Sequence, residues 1–267
     1  MTRRRIMPAL AGAALLALGA GAAWAQDSSE PPLPKMEWSF NGPFGTFDRA
    51  ALQRGFQVYN EVCSACHSMN LLSYRDLEGP SALGYSADEV AAIAATKQVT
   101  DGPNDQGAMF QRGGRPADHF VAPFANAEAA RAANGGALPP DLSVIIKARA
   151  GGADYVHAIL TGFRDPPQDM KMAAGMNYNM YFPGHQIAMP PPLTDNRVTF
   201  ADGTPATIDQ EARDVATFLA WASEPTMEER KRTGAKVMIF LLVMTGVLYG
   251  AKRRVWSSLH DKDEKDS

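Results

Sequence analysis

The sequence predicts helices rather than strands: a mainly helical exported domain followed by one membrane-spanning helix. Three observations carry this reading. Residues 47–62 and 208–222 each repeat apolar side chains at helical steps. A run near the C-terminus is apolar on every side. Between the two ends, about 200 residues are polar, rich in Pro and Gly and poor in β-branched runs, enough for one domain.

The first element is MTRRRIMPALAGAALLALGAGAAWAQ. Three arginines precede an apolar run, and Ala23-Trp24-Ala25 supplies the small-x-small pattern. This is the layout of a secretory signal peptide over residues 1–25; an N-terminal anchor is the rival, weakened by the short run and the cleavage pattern. The layout implies a bacterial chain with its bulk, residues 26–229, in the periplasm, where disulfides are permitted. From 26 to 229 there are 14 basic and 25 acidic residues, a net of −11, although the whole chain sums to −3. That sign disfavours nucleic acid and suits a basic partner.

The first helix is expected over 47–62. Leu52, Phe56, Tyr59 and Val62 form its apolar face, Asp48 or Thr46 offers an N-cap, and Gly55 leaves a gap for another helix to approach. It leads into Cys63-Ser64-Ala65-Cys66-His67, which holds the only two cysteines. A disulfide here would close a tiny loop, and no disulfide elsewhere can brace the domain. A thioredoxin-like pair does not need the histidine, and zinc needs more ligands. Covalent attachment of a c-type haem uses every residue: two thiols one turn apart add to the porphyrin vinyl groups, and His67 takes the iron.

The second axial position is open or filled. Candidates are His119, His157, His185 and the methionines of the domain. Met189 stands in YFPGHQIAMPPPL, a proline-stiffened loop ahead of a helix, and is the expected ligand, with His185 second. The helix follows: Thr207-Ile208-Asp209-Gln210 matches a capping box, and Ile208, Ala212, Val215, Leu219 and Ala222 form its stripe. It is expected to cross the first helix near Gly55.

The last element is GAKVMIFLLVMTGVLYGAKRRVW. Fifteen uncharged residues, Val237 to Ala251, separate Lys236 from Lys252. They span roughly 22 Å, so residues 233–251 reach across if Lys236 snorkels, with Trp256 at the far interface. A buried core helix is the rival. With the signal peptide setting direction, residues 252–267 form a short cytoplasmic tail.

Taken together, WSFNGPFGTFD, LQRGFQVYNEVCSACHSM, LLSYRDL, AARAANGGALPPDLS, KARAGGADYVHAILTGF, NMYFPGHQIAMPPPL and DGTPATIDQEARDVATFLAWASEP resemble the cytochrome c1 family from residue 38 to 259. The resemblance implies a mainly α, class I cytochrome c-like haem domain with long loop insertions, plus one C-terminal transmembrane helix. It implies one haem c through Cys63 and Cys66, iron ligation by His67 and Met189, and a lining of Asn134, Ala137, Pro139, Pro140, Arg149 and Tyr155. Arg149 would face a propionate, since guanidinium pairs well with carboxylate. The implied role is one-electron transfer in the dimeric ubiquinol–cytochrome c oxidoreductase (bc1) complex of the bacterial inner membrane. The implied partners are cytochrome b, the Rieske iron–sulfur protein as donor and a basic cytochrome c as acceptor. A stand-alone anchored carrier and an open-site haem enzyme or sensor are the alternatives. QRGGRPADHF departs from the family's Arg-Pro-Gly and leaves a surface loop in question.

Overall fold

The computed structural model describes residues 31–263, the last six by backbone alone. The expected signal peptide of residues 1–25 lies outside them, as do residues 26–30 and 264–267.

Helix α1 (Arg49–Glu61) starts where Asp48 Oδ1 accepts from Ala50 N (2.9 Å) and Ala51 N (3.4 Å). Asp48 is therefore the cap, and Thr46 instead donates its N–H to Ser39 O. Leu52, Phe56 and Tyr59 are buried on the expected face and Val62 packs against the same core. Helix α6 (Ile208–Ser223) lies across this face. A Cβ on Gly55 would sit 2.0 Å from Asp214 O and 2.8 Å from Phe218 Cβ, so only glycine permits the crossing. Phe218 ties the layers together, with ring centroids 5.6 Å from Phe56, 5.7 Å from Tyr59 and 5.8 Å from Trp221. Each such ring buried contributes about 1.5–3 kcal/mol.

Thr207 caps α6 by accepting from Gln210 N (3.2 Å), but the expected capping box does not close. The Gln210 side chain donates instead to Asp214 Oδ2 (2.9 Å), and Ile208 N is satisfied by Asp195 Oδ1 (2.9 Å). The physical reason is the buried carboxylate of Asp214. It needs donors, and Arg54 supplies two more at 2.7 and 3.1 Å while also reaching Asp202 at 2.7 Å.

Shorter elements fill the long insertions. Helix α2 (Ala87–Ala95) carries a full capping box, Ser86 with Glu89, unread in the sequence although Ser-x-x-Glu spells it. Strands β1 (Gln98–Asp101) and β2 (Phe110–Gly113) pair antiparallel, and Arg112 ties the hairpin to Asp101 and Asp118. The departing stretch 111–120 is thus a built hairpin edge. Helices α3 (Ala127–Ala133), α4 (Ile145–Ala148) and α5 (Gly152–Thr161) follow, then strands β3 (Asn177–Tyr178) and β4 (Gln186–Ile187). The strands were not foreseen, but the domain remains mainly helical.

Helix α7 (Met227–Asp263) is one continuous helix of 37 residues, longer than the expected span of 233–251. Its stretch Met227–Ser257 is long and apolar enough to cross a membrane; the 18-residue apolar window within it is not buried against the domain, whereas Met227 at the helix start is. The buried-core rival is excluded.

Candidate haem site

The end of α1 and one short turn place all the attachment chemistry. Val62 N closes α1 on Val58 O, and Cys63–Ala65 continues as a 3-10 turn in which Cys66 N and His67 N both donate to Cys63 O (3.1 and 2.9 Å). Ser64 Oγ donates to Asn60 O (2.7 Å), and Met69, fully buried, pins the following strand of chain in the core. Both cysteines are free thiols, Cys63 half-buried and Cys66 exposed. Burial pushes the Cys63 thiol up to about 12, with Cys66 adding to the rise.

His67 is oriented by a partner 73 positions away. Its Nδ1 lies 2.8 Å from Pro140 O, and since a carbonyl only accepts, Nδ1 carries the proton and Nε2 presents its lone pair. Burial lowers the imidazole below its ordinary value, against the raising hydrogen bond to Pro140. A neutral imidazole with a free Nε2 is the form that ligates iron.

Two residues that sequence reasoning passed over hold this arrangement. Asp141 Oδ2 accepts from Ser68 Oγ (2.8 Å) and Asn70 N (2.9 Å), while Oδ1 accepts from Ser143 N (2.8 Å). Ser143 Oγ accepts from Leu71 N (3.1 Å), and Leu142 N donates to Ser68 O (2.9 Å). Burial raises the Asp141 carboxyl, but its hydrogen bonds outweigh that and hold it below the ordinary value. Asp-x-Ser directly after Pro-Pro is an Asx-turn signal, yet nothing local says that its acceptors serve the histidine segment.

The remaining expected residues are placed as follows. Asn134 ends α3 and spends its side-chain N–H on Ala130 O (2.7 Å), while Ala137 N donates to Asn134 O (3.1 Å). Pro139 is half-buried and Pro140 exposed, in the segment that meets His67. Arg149 is exposed after α4 and donates to Ala148 O (3.1 Å), leaving most of its guanidinium N–H groups to solvent or a carboxylate. Tyr155 is half-buried on α5.

Met189 is half-buried two residues past β4, with its carbonyl held by Asn177 Nδ2 (3.3 Å). His185, the second candidate, lies in a left-handed conformation with Nδ1 3.2 Å from Asn179 O. His157 is buried with Nε2 2.9 Å from Asp209 Oδ1, and His119 is exposed on a β-bridge to Ser73.

The donor set fits a covalent haem. Two free thiols and a neutral imidazole share one turn, and apolar Leu71, Leu138 and Val144 stay exposed around the segments that orient His67. A cleft of about 610 Å³, lined in part by Leu160, Asn177, Pro191 and Leu193, borders the Met189 loop. It takes in neither thiol nor His67, so the fit rests on the donor set.

Comparison with known proteins agrees. The cytochrome C1 family model matches residues 38–259. The chain is 47% identical to cytochrome c1 of Rhodospirillum rubrum, over 92% of this chain and 95% of that protein. It is 50% identical to mitochondrial cytochrome c1 1 of Arabidopsis thaliana, over 86% of this chain and 74% of that one. Against the protein named cytochrome b/c1 of Bradyrhizobium diazoefficiens it is 47% identical over 94% of its own length, spanning 40% of the longer relative. On its turn of thiols and imidazole, its helical domain and this match across most of its length, the chain belongs to the cytochrome c1 family, the covalently haem-bearing electron-transfer subunits of the bc1 complex.

Proposed function

We propose that the chain passes single electrons from a Rieske iron–sulfur protein to a basic cytochrome c, through one haem c attached at Cys63 and Cys66 and ligated by His67 and Met189. The observation that carries this is the His67 Nδ1–Pro140 O bond of 2.8 Å, which commits the imidazole to ligation through Nε2. Haem c, when bound, supplies a one-electron ferric/ferrous couple. The thiols hold it, and Pro140 and Asp141 keep the imidazole aimed. The Met189 thioether favours the ferrous state and raises the potential, which suits a late carrier. His67 and Met189 would hold the iron from the protein side, and a haem so held would carry electrons without the chain performing bond chemistry itself.

Asn134, Ala137, Pro139, Pro140 and Tyr155 line the site in this reading, and Arg149 pairs a propionate. The net of −11 over residues 26–229 supports a basic acceptor. Cytochrome b as a neighbour is supported by the name of the Bradyrhizobium protein, which joins b and c1. Residues 1–25 serve as the signal peptide, 26–229 lie in the periplasm, the anchor spans the bacterial inner membrane, and the tail from 252 is cytoplasmic, within a dimeric complex.

Met189→Leu keeps volume and removes the sulfur. The midpoint potential should fall and carbon monoxide should gain the reduced iron, while the cysteines retain the haem. An unchanged potential with carbon monoxide still excluded would remove Met189 as ligand and turn attention to His185→Leu. Purification in mild detergent without cytochrome b would favour a stand-alone carrier.

A further inference from the structure

The chain before α1 is tied to the first turns of α7. Glu228 Oε1 accepts from Phe47 N (2.8 Å), and its Oε2 pairs with Arg49 Nη2 (2.7 Å). One helical turn later, Lys231 Nζ donates to Phe40 O (2.7 Å) and Gly45 O (3.1 Å). Around those two carbonyls the backbone folds back on itself, with Asn41 N bonded to Trp38 O (3.0 Å) and Thr46 N to Ser39 O (3.0 Å). Lys231 thus holds both ends of a closed turn.

That turn uses its aromatic residues unequally. Trp38 stacks on Phe40 at 5.5 Å and Phe40 meets Phe47 at 5.2 Å, all three joined to the core. Phe44 is left out: 84% exposed, above every other large apolar side chain described, those of the anchor included. A ring so placed gains roughly 25 cal/mol for each Å² of apolar surface that a neighbouring apolar phase covers.

Height decides what covers it. From Lys231 to Thr233, where the expected span of 233–251 begins, α7 rises about 3 Å. The headgroup layer outside a ~30 Å hydrocarbon core is roughly 5–8 Å deep on each side. The turn held by Lys231 therefore stands at that layer, where aromatic rings are favoured. Arg232 and Lys236 lie on the same stretch of helix and suit lipid phosphates.

We propose that the Asn41–Gly45 turn is a lipid-contacting foot. Phe44 enters the headgroup layer beside α7, and Glu228 and Lys231 join foot to anchor so that the haem domain keeps one angle to the membrane. The inference rests on α7 as the anchor.

The test uses the full holoprotein in vesicles of phosphatidylcholine and phosphatidylglycerol. With Cys63 and Cys66 consumed by haem, Phe44→Cys, Met109→Cys and Leu242→Cys each introduce one labelling site for a nitroxide. Met109 is on the β hairpin and 60% exposed; Leu242 is mid-anchor and 69% exposed. The ratio of collision rates with oxygen and with a nickel chelate reports depth. It should be several-fold higher at 44 than at 109 and higher again at 242. Adding Lys231→Met should bring the value at 44 down toward that at 109. Equal ratios at 44 and 109 overturn the foot. Low collision with both reagents at 44 means protein covers it, which overturns the lipid contact. A ratio at 44 indifferent to Lys231→Met overturns the joint, and an aqueous ratio at 242 overturns the anchor itself.

Discussion

Helices α6 and α7 follow one another with three residues between them, and both are rich in apolar side chains, yet they face opposite solvents. In α6 the apolar Val215, Phe218, Leu219 and Trp221 are buried, and so are Glu211, Asp214, Thr217 and Ser223. In α7, Val237, Ile239, Phe240 and Leu242 are 48–69% exposed. The lesson is that apolar content alone does not name a helix's surroundings. Polar groups do. Those on α6 are met by Arg54, Gln210 and backbone donors from distant loops, whereas the run from Val237 to Ala251 carries no charge that would need meeting.

The largest way to break the contrast is at the crossing itself. Gly55→Val would drive a branched side chain into the Asp214 carbonyl, 2.0 Å from where even a Cβ would lie. The expected loss exceeds the ~4–5 kcal/mol that marks an exceptional substitution, so no folded haem domain should be recovered. Normal yield with an unchanged melting temperature would show that the helices slide apart cheaply.

Next comes the same deletion made on each helix. Phe218→Ala should destabilise the domain by about 4 kcal/mol in denaturant unfolding, through lost transfer and the cavity left. Leu242→Ala should leave domain unfolding in detergent unchanged, because that side chain is 69% exposed and lies outside the domain core. Comparable losses from both would erase the distinction.

Asp214→Ala probes the polar side of α6. It removes a two-point partner from Arg54, whose side chain is 15% exposed, leaving Asp202 as the remaining carboxylate. A loss of about 3 kcal/mol is expected, and adding Arg54→Met should recover part of it by removing the stranded charge. Failure of the second substitution to recover anything would assign the loss to packing.

The smallest effect concerns pH. Burial raises the Glu211 carboxyl above its ordinary value, against hydrogen bonds from the backbone of Val198 and Arg197. A raised folded-state value means the fold prefers the protonated form. That contribution is fully present below the unfolded value near ~4.3 and is lost as pH climbs through the folded one. Glu211→Gln cannot ionise, so its melting temperature should match the parent at the acid end and exceed it increasingly as pH rises toward neutrality. Parallel profiles would mean that Glu211 is met by solvent.

Several elements were legible in the residues because their signals are local. The face of α1, the Gly55 gap, the stripe of α6 and the unbroken run of α7 each lie within one segment, where periodicity reports which side is buried. Cys63, Cys66 and His67 were legible for the same reason, since the three lie within one turn of chain. The strands β1 to β4 left no such trace, being two to four residues long and at most half-buried.

Tertiary structure alone decided the rest. The aim of His67 depends on Pro140, and that of Pro140 on Asp141 and Ser143, across 71 to 73 positions. Gln210 has the type and spacing of a capping residue, but a buried carboxylate on the next turn claims its side chain. The joint between α7 and the turn before α1 closes over 179 to 191 positions. The physical reason is common to all three. A hydrogen-bond donor's residue type is written in the sequence, but its acceptor is whatever unsatisfied group the folded chain brings within about 3 Å.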